Sequence, residues 1–264
     1  MTTATVEPPK VDPDAIAAEI GESRLAKWLK LSIQPVIVAL ALGAYLVWRA
    51  TADLDSIEAR ALSWSNLGNF TWEHIQLSFV ATVIVLALAI PLGVVLTRPA
   101  TRRLAPLVVG IANIGQAAPA VGLIVLAALI FDLGFWPAIG ALTLYGLLPS
   151  LRNTIVGLDQ VDSRLVEAGR GMGMSAAAVL FRVELPLAVP VIVAGARTAL
   201  VLLVGTAALA GFIDGGGLGE LITVGIKLSR GAVLVSGALL VALLALLIDW
   251  LGRIVEEIAR PKGI

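Results

Sequence analysis

The chain of 264 residues is 58% hydrophobic and 14% charged, where soluble domains run at about 45–50% and about 25%, so its composition excludes an ordinary soluble protein. A formal net charge of zero excludes bulk attraction to nucleic acid or to acidic substrates. The absence of cysteine excludes disulfide and thiol chemistry, and a single histidine, His74, argues against a histidine-based metal site.

A hydrocarbon core about 30 Å thick needs roughly 20 apolar residues of helix, and six segments meet or approach that length. Residues 1–30 precede them as a polar tail containing TVEPPKVDPD, whose start reads as disordered. The first span, residues 31–48 (LSIQPVIVALALGAYLVW), is followed by no small-residue cleavage pattern and does not read as a signal peptide. The second span covers residues 75–96 and the third, the longest, residues 104–131. The fourth, residues 136–158, is broken near its end by Pro149, Arg152 and Asn153. The fifth covers residues 187–212 and the sixth residues 233–250, leaving residues 252–264 as a tail. Apolar residues encircle each segment, without the alternation of a barrel strand. The expected fold is an all-α integral membrane protein of six transmembrane helices.

Lysine and arginine set the orientation. With the N-terminus inside, the inner segments hold Lys10, Arg24, Lys27, Lys30, Arg98, Arg102, Arg103, Arg152, Arg164, Arg170, Arg182, Arg253, Arg260 and Lys262. The outer segments hold only Arg49, Arg60, Lys227 and Arg230. Both termini and the loop at residues 159–186 are therefore expected in the cytoplasm.

That loop is unusual for a connection between spans. Asp162 or Ser163 can cap a helix start, RLVEAGR carries helical spacing, and Gly171 and Gly173 permit a sharp turn. A second short helix, SAAAVLFR, follows, and Pro186 suits the first turn of the next span. A helix–turn–helix across the cytoplasmic face is expected, either as packing under the bundle or as a docking element for a soluble partner.

The residues E-A-G-x3-G-x9-V-x-L-P, from Glu167 to Pro186, closely resemble the "EAA" motif of binding-protein-dependent ABC importer permeases, E-A-A-x3-G-x9-I-x-L-P. Gly169 replaces the second alanine and Val183 the isoleucine. GIANIGQAAPAVGL, LYGLLPSLRNTIVGL, VELPLAVPVIVAGARTA and GFIDGGGLGE extend the resemblance to the osmoprotectant subfamily. Its members import glycine betaine, carnitine, choline or related compounds. The resemblance implies a five-span, methionine-importer-like permease core over residues 72–251, with the span at 31–48 as an extra helix outside it. It also implies that Glu167, Ala168, Gly169, Gly171, Gly173, Leu185 and Pro186 couple the bundle to a cytoplasmic ATPase dimer. Further implied partners are an extracytoplasmic solute-binding protein and a second permease subunit, identical or sister, in a bacterial-type cytoplasmic membrane. No cofactor is expected in this chain. It contains no Walker A pattern, so ATP and magnesium are expected on the partner ATPase.

Several single residues allow two readings. Asn113 and Gln116 lie on one helical face, as pathway or gate lining or as interhelical hydrogen-bonding groups, and Pro119 is placed to bend the helix beside them. Arg197 falls about 16 Å into the bilayer past Pro186. It must meet water, a carboxylate or carbonyls, either as a structural or gate-locking pair or as a contact for the carboxylate of betaine or carnitine. In the outer loop, Asp214, Gly215, Gly216, Gly217 and Glu220 read as a tight glycine turn whose two charges are either solvated or turned to a binding protein or the vestibule mouth. Asp53, Asp55, Glu58, Lys227 and Arg230 read as exposed charges able to dock a binding protein, and Asp249 as interfacial and unremarkable. A membrane enzyme would need convergent acids, bases or ligands that the spans lack. An amino-acid permease and a non-transport scaffold are the remaining alternatives.

Overall fold

A computed structural model describes the backbone of residues 13–259 and the side chains of residues 31–259. The expected disorder of the N-terminal tail falls on residues outside the described ones, as do Lys10, Arg260 and Lys262. Eleven α-helices follow in order: α1 (Pro13–Thr51), α2 (Ser56–Ala61), α3 (Trp64–Leu96), α4 (Ala105–Ala117), α5 (Ala120–Phe131), α6 (Phe135–Asp159), α7 (Ser163–Gly171), α8 (Ala176–Val179), α9 (Leu185–Ala207), α10 (Gly219–Lys227) and α11 (Gly231–Ala259). Among the described residues there is no strand. Among the described residues four helices are long and apolar enough to cross a membrane, lying at Leu31–Thr51, Trp64–Leu96, Ala176–Ile213 and Gly231–Ala259. A bent pair, Arg102–Ala117 with Ala120–Phe131, makes a fifth if counted as one span. The six expected spans are thus four or five by length and composition. The helix α6, diluted by Pro137, Thr143, Pro149, Arg152 and Asn153, does not meet that test.

The expected third span is not a straight rod. It turns through 94° between α4 and α5, because Pro119 forces the residue before it out of the helical region. Ala118 accordingly has φ −65 and ψ 144. Conversely, α6 is not broken at Pro149 as expected. It runs through to Asp159, and Asn153 Nδ2 donates to the Pro149 carbonyl at 2.8 Å.

The centre of the bundle is α6 packed against α3 and α9, and α4 and α5 pack against α6 as well. Leu77, Val85, Ile124, Leu142, Ala199 and Leu203 fill the main core. Close approach depends on glycine: a Cβ on Gly195 of α9 would lie 2.4 Å from Asn153 Cβ on α6. A second core, with Tyr45, Leu62, Leu67, Leu218, Leu221 and Val233, joins α1 and α10 to α11.

The first helix is bolted to α11 at its middle and to the start of α3 at its C-terminal end. Trp250 Nε1 donates to the Leu31 carbonyl at 2.9 Å, and Gln34 Nε2 to the Leu246 carbonyl at 2.8 Å. At the C-terminal end Arg49 Nε donates to the Leu62 carbonyl at 2.6 Å, and its guanidinium lies 5.4 Å from the centre of the Trp64 ring.

Candidate functional site

The stretch from Asp162 to Pro186 folds as a hairpin at one end of the bundle. Asp162 caps α7 by accepting from the Arg164 N–H at 2.9 Å, and the Arg164 guanidinium beside it holds its carboxyl below the usual range. The helix stops because Gly173 has φ +82, a left-handed residue that glycine alone adopts without strain. Gly173 N–H donates to the Arg170 carbonyl and Met174 N–H to the Gly169 carbonyl, at 2.9 and 3.1 Å. These are the paired bonds that close a helix C-terminus with a left-handed glycine. Gly171, expected to share the turn, is instead the last residue of α7.

The expected second short helix is not a separate element. Ser175 caps α8, which continues through a π-helical turn, Leu180–Glu184, into α9. Pro186 supplies the reason. It has no N–H for the Arg182 carbonyl, and its ring crowds that carbonyl, so the helix widens by one residue just before it. Leu185 N–H accordingly reaches back to the Leu180 carbonyl.

Glu167, Ala168, Gly171, Gly173 and Pro186 are exposed, Leu185 is half-buried, and only Gly169 is buried. A Cβ on Gly169 would sit 3.4 Å from Val179 Cγ2, an ordinary contact. Met172 and Phe181 stand out from the hairpin with 72% and 67% of their surface exposed. Two ion pairs brace its base. Arg98, just past α3, meets the buried Glu184 at 2.5 Å, and Arg102 meets Asp159 at 3.4 Å.

Arg197 has carboxylate partners on α11. Its Nη1 lies 2.8 Å from Glu256 and its Nε 3.6 Å from Asp249. Asp249 also receives Arg253 at 2.9 Å and Gln34 Nε2 at 3.2 Å, so it is the centre of a cluster joining α1, α9 and α11. That corrects its expected role as an unremarkable interfacial charge. The turn spacing of Asp249, Arg253 and Glu256 put all three on one face of α11; only the packing showed that this face meets Arg197.

Asn113 is exposed and Gln116 half-exposed on α4, ahead of the Pro119 bend, and among the described residues neither side chain has a hydrogen-bond partner.

At the other end of α9 a 3-10 turn, Ala208–Ile213, leads into the glycine turn. Asp214, Gly216 and Gly217 all have positive φ, as a tight reversal requires. Gly217 N–H donates to Glu73 Oε2 at 2.9 Å. His74 Nε2 donates to the Val204 carbonyl at 2.9 Å, since a carbonyl can only accept, and His74 Nδ1 is buried without a partner beside Gly217. Neither Glu73 nor His74 was legible as part of this turn, because both lie on α3. Asp214 is exposed as expected. Glu220 is not a solvated loop charge: it opens α10, and burial, then the Asp214 carboxylate, push its carboxyl up. Asp55 and Arg230 pair with each other at 2.6 Å rather than standing free. Among the described residues no group of His, Asp and Glu is arranged to hold a metal ion.

Comparison with known proteins agrees with this architecture. The family described as "Binding-protein-dependent transport system inner membrane component" matches residues 89–260. The choline transport system permease protein OpuBB of Bacillus subtilis (strain 168) is 42% identical over 194 residues, covering 74% of this chain and 88% of its own. The glycine betaine/carnitine/choline transport system permease protein OpuCB of the same organism is 41% identical with the same coverage. Among solved structures, an inward-facing MetNI methionine ABC transporter matches with TM-score 0.65 and 27% identity, covering 74% of this chain and 96% of that chain. With its bent helix pair, its hairpin and a family match spanning most of its length, the chain belongs to the inner membrane components of binding-protein-dependent transport systems.

Proposed function

We propose that the chain is the permease subunit of an importer for quaternary-ammonium osmoprotectants, glycine betaine, carnitine and choline, and that it moves solute by alternating access powered by a separate ATPase. The observation that carries this reading is the 42% identity with a choline permease over 88% of that protein's length. The MetNI likeness, at 27%, supports the architecture and favours an amino-acid substrate less strongly.

In this reading α6 is a further span, bringing the count to six, and the hairpin faces the cytoplasm with both termini. Its exposed Met172 and Phe181 dock in an ATPase dimer that holds ATP and magnesium. A short helix fixed by a tight turn to the long rod at Ala176–Ile213 converts ATPase closure into rocking of the bundle. Glu167, Ala168, Gly169, Gly173, Leu185 and Pro186 form that handle. The amides Asn113 and Gln116 face either the pathway or a second permease subunit, because an amide left in hydrocarbon is costly. Arg197 is a lock between α9 and α11 and not a substrate contact, since two carboxylates already engage it. The glycine turn and Glu220 lie at the outer mouth, towards a solute-binding protein.

The test is uptake of radiolabelled glycine betaine, choline and carnitine by cells lacking osmolyte transporters that express this chain with its ATPase and binding protein. ATP-dependent uptake of at least one solute, abolished by disrupting residues 167–186, is expected. An assembled complex that imports methionine and none of the three would move the substrate to the amino-acid class.

A further inference from the structure

Glu184 is a buried carboxylate that topology rules do not account for. It closes the π-helical turn immediately before Leu185 and Pro186, and only 7% of its surface is exposed. Arg98 grips it at two points, Nη2 to Oε2 at 2.5 Å and Nη1 to Oε1 at 3.3 Å. The guanidinium is itself held, by Nε donating to the Val94 carbonyl at 3.2 Å and Nη2 donating to Thr97 Oγ1 at 3.0 Å. Such a two-point pair fixes orientation as well as distance.

The placement of this pair matters because the chain connects the hairpin directly only to α6 and α9. Ile90 and Val94 of α3 pack beside Leu158, Ala188, Leu180 and Leu185, but apolar contacts alone do not fix a register. The ion pair does, and it depends on the widened turn. Removing the extra residue would rotate Glu184 by about 100° around the helix axis, away from Arg98.

We infer that Arg98 and Glu184 are positioning residues that lock the end of α3 to the π turn, so that displacement of the hairpin moves α3 and α9 as one body. This rests on the reading in which the hairpin couples ATP hydrolysis to transport. The pair contacts neither solute nor nucleotide, and its effect is on the transmission between them.

The experiment uses the full chain assembled with its ATPase and binding protein in proteoliposomes, with radiolabelled glycine betaine, choline and carnitine as probes. Solute imported per ATP hydrolysed is measured for wild type, Glu184→Gln, Arg98→Gln and the exchange Arg98→Glu/Glu184→Arg. Each single variant should lower the ratio about fivefold or more, the lower end of typical coupling free energies, while ATP hydrolysis and co-purification of the ATPase persist. The exchange should recover most of the loss, which also guards against a variant that simply fails to fold. An unchanged ratio in both single variants would overturn the lock while leaving the importer reading intact. Import and hydrolysis falling in proportion, with loss of the ATPase, would reduce the pair to structural support and overturn it as well. A wild-type complex that imports none of the three probes would overturn the importer reading and the lock with it.

Discussion

At the hairpin end of α9, Gly171 and Gly173 face open space, whereas at its other end Gly211 and Gly219 press against backbone. Nothing lies within 4 Å of a Cβ built on Gly171 or Gly173. A Cβ on Gly219 would lie 2.0 Å from the Ala208 carbonyl oxygen, and one on Gly211 would lie 2.4 Å from the Gly219 carbonyl carbon. One residue type thus serves two purposes. In the hairpin, Gly173 supplies a backbone angle, and the element is otherwise held by ion pairs at its base. At the other end Gly216 and Gly217 also supply backbone angles, but Gly211 and Gly219, flanking their turn, allow chain-on-chain contact that leaves no room for adjustment. The first arrangement suits an element that moves as a unit, and the second an element that holds its shape while its neighbours move.

The largest expected effect comes from filling the dense end. Gly219→Val should destabilise the protein by at least about 3 kcal/mol, the upper range for overpacking, because backbone and not a flexible side chain stands in the way. Thermal unfolding in detergent would show a lost or strongly lowered transition; a near-normal Tm would break the contrast.

Arg197→Ala comes next, with a cost of about 2 kcal/mol, less than the 3–5 of a fully buried pair because the side chain is 27% exposed. It should impair transport and thermal stability more than Arg103→Ala at equal expression. Equal and mild effects would demote Arg197 to a tolerated charge.

Gly173→Val should cost about 1–2 kcal/mol through the left-handed angle alone, since the space around it is open. Membrane insertion should persist while uptake falls. Normal uptake would mean that the turn is not part of a handle.

At the glycine turn, Glu220→Gln should raise Tm at pH 7. The carboxyl is pushed up by burial first and by Asp214 second, from an ordinary value of 4.5. A raised acid binds its proton more tightly in the folded state, so ionisation begins to cost stability as pH rises through that ordinary value, and the full cost is present above the raised one. The advantage of glutamine should therefore vanish as the pH falls below 4.5. A pH-independent gain would assign it to packing.

The smallest effect is Gly169→Ala. The added Cβ meets Val179 Cγ2 at 3.4 Å, and a helical Gly→Ala change gains about 0.5–1 kcal/mol. Uptake should be unchanged and Tm slightly higher; a clear loss of either would show that the hairpin is packed more tightly than its neighbours indicate.

The sequence by itself determined the membrane class, the positions of most long helices, the hairpin and its glycine stop, and the place of the Pro119 bend. Each follows from interactions within a few residues: apolar composition, cap chemistry, and the restriction a proline puts on its predecessor. It misplaced the boundary between SAAAVLFR and α9, because Pro186 widens the helix into a π turn that carries α8 straight into α9 instead of ending it. It also left Arg197 without a partner, Asp249 without a purpose and Arg98 explained by topology alone. Those assignments belong to the tertiary structure. Arg197 is 59 residues from Glu256 and Arg98 is 86 residues from Glu184, and charges that far apart along the chain meet only once α9 has packed against α11 and α3 and fixed which helix faces turn towards one another.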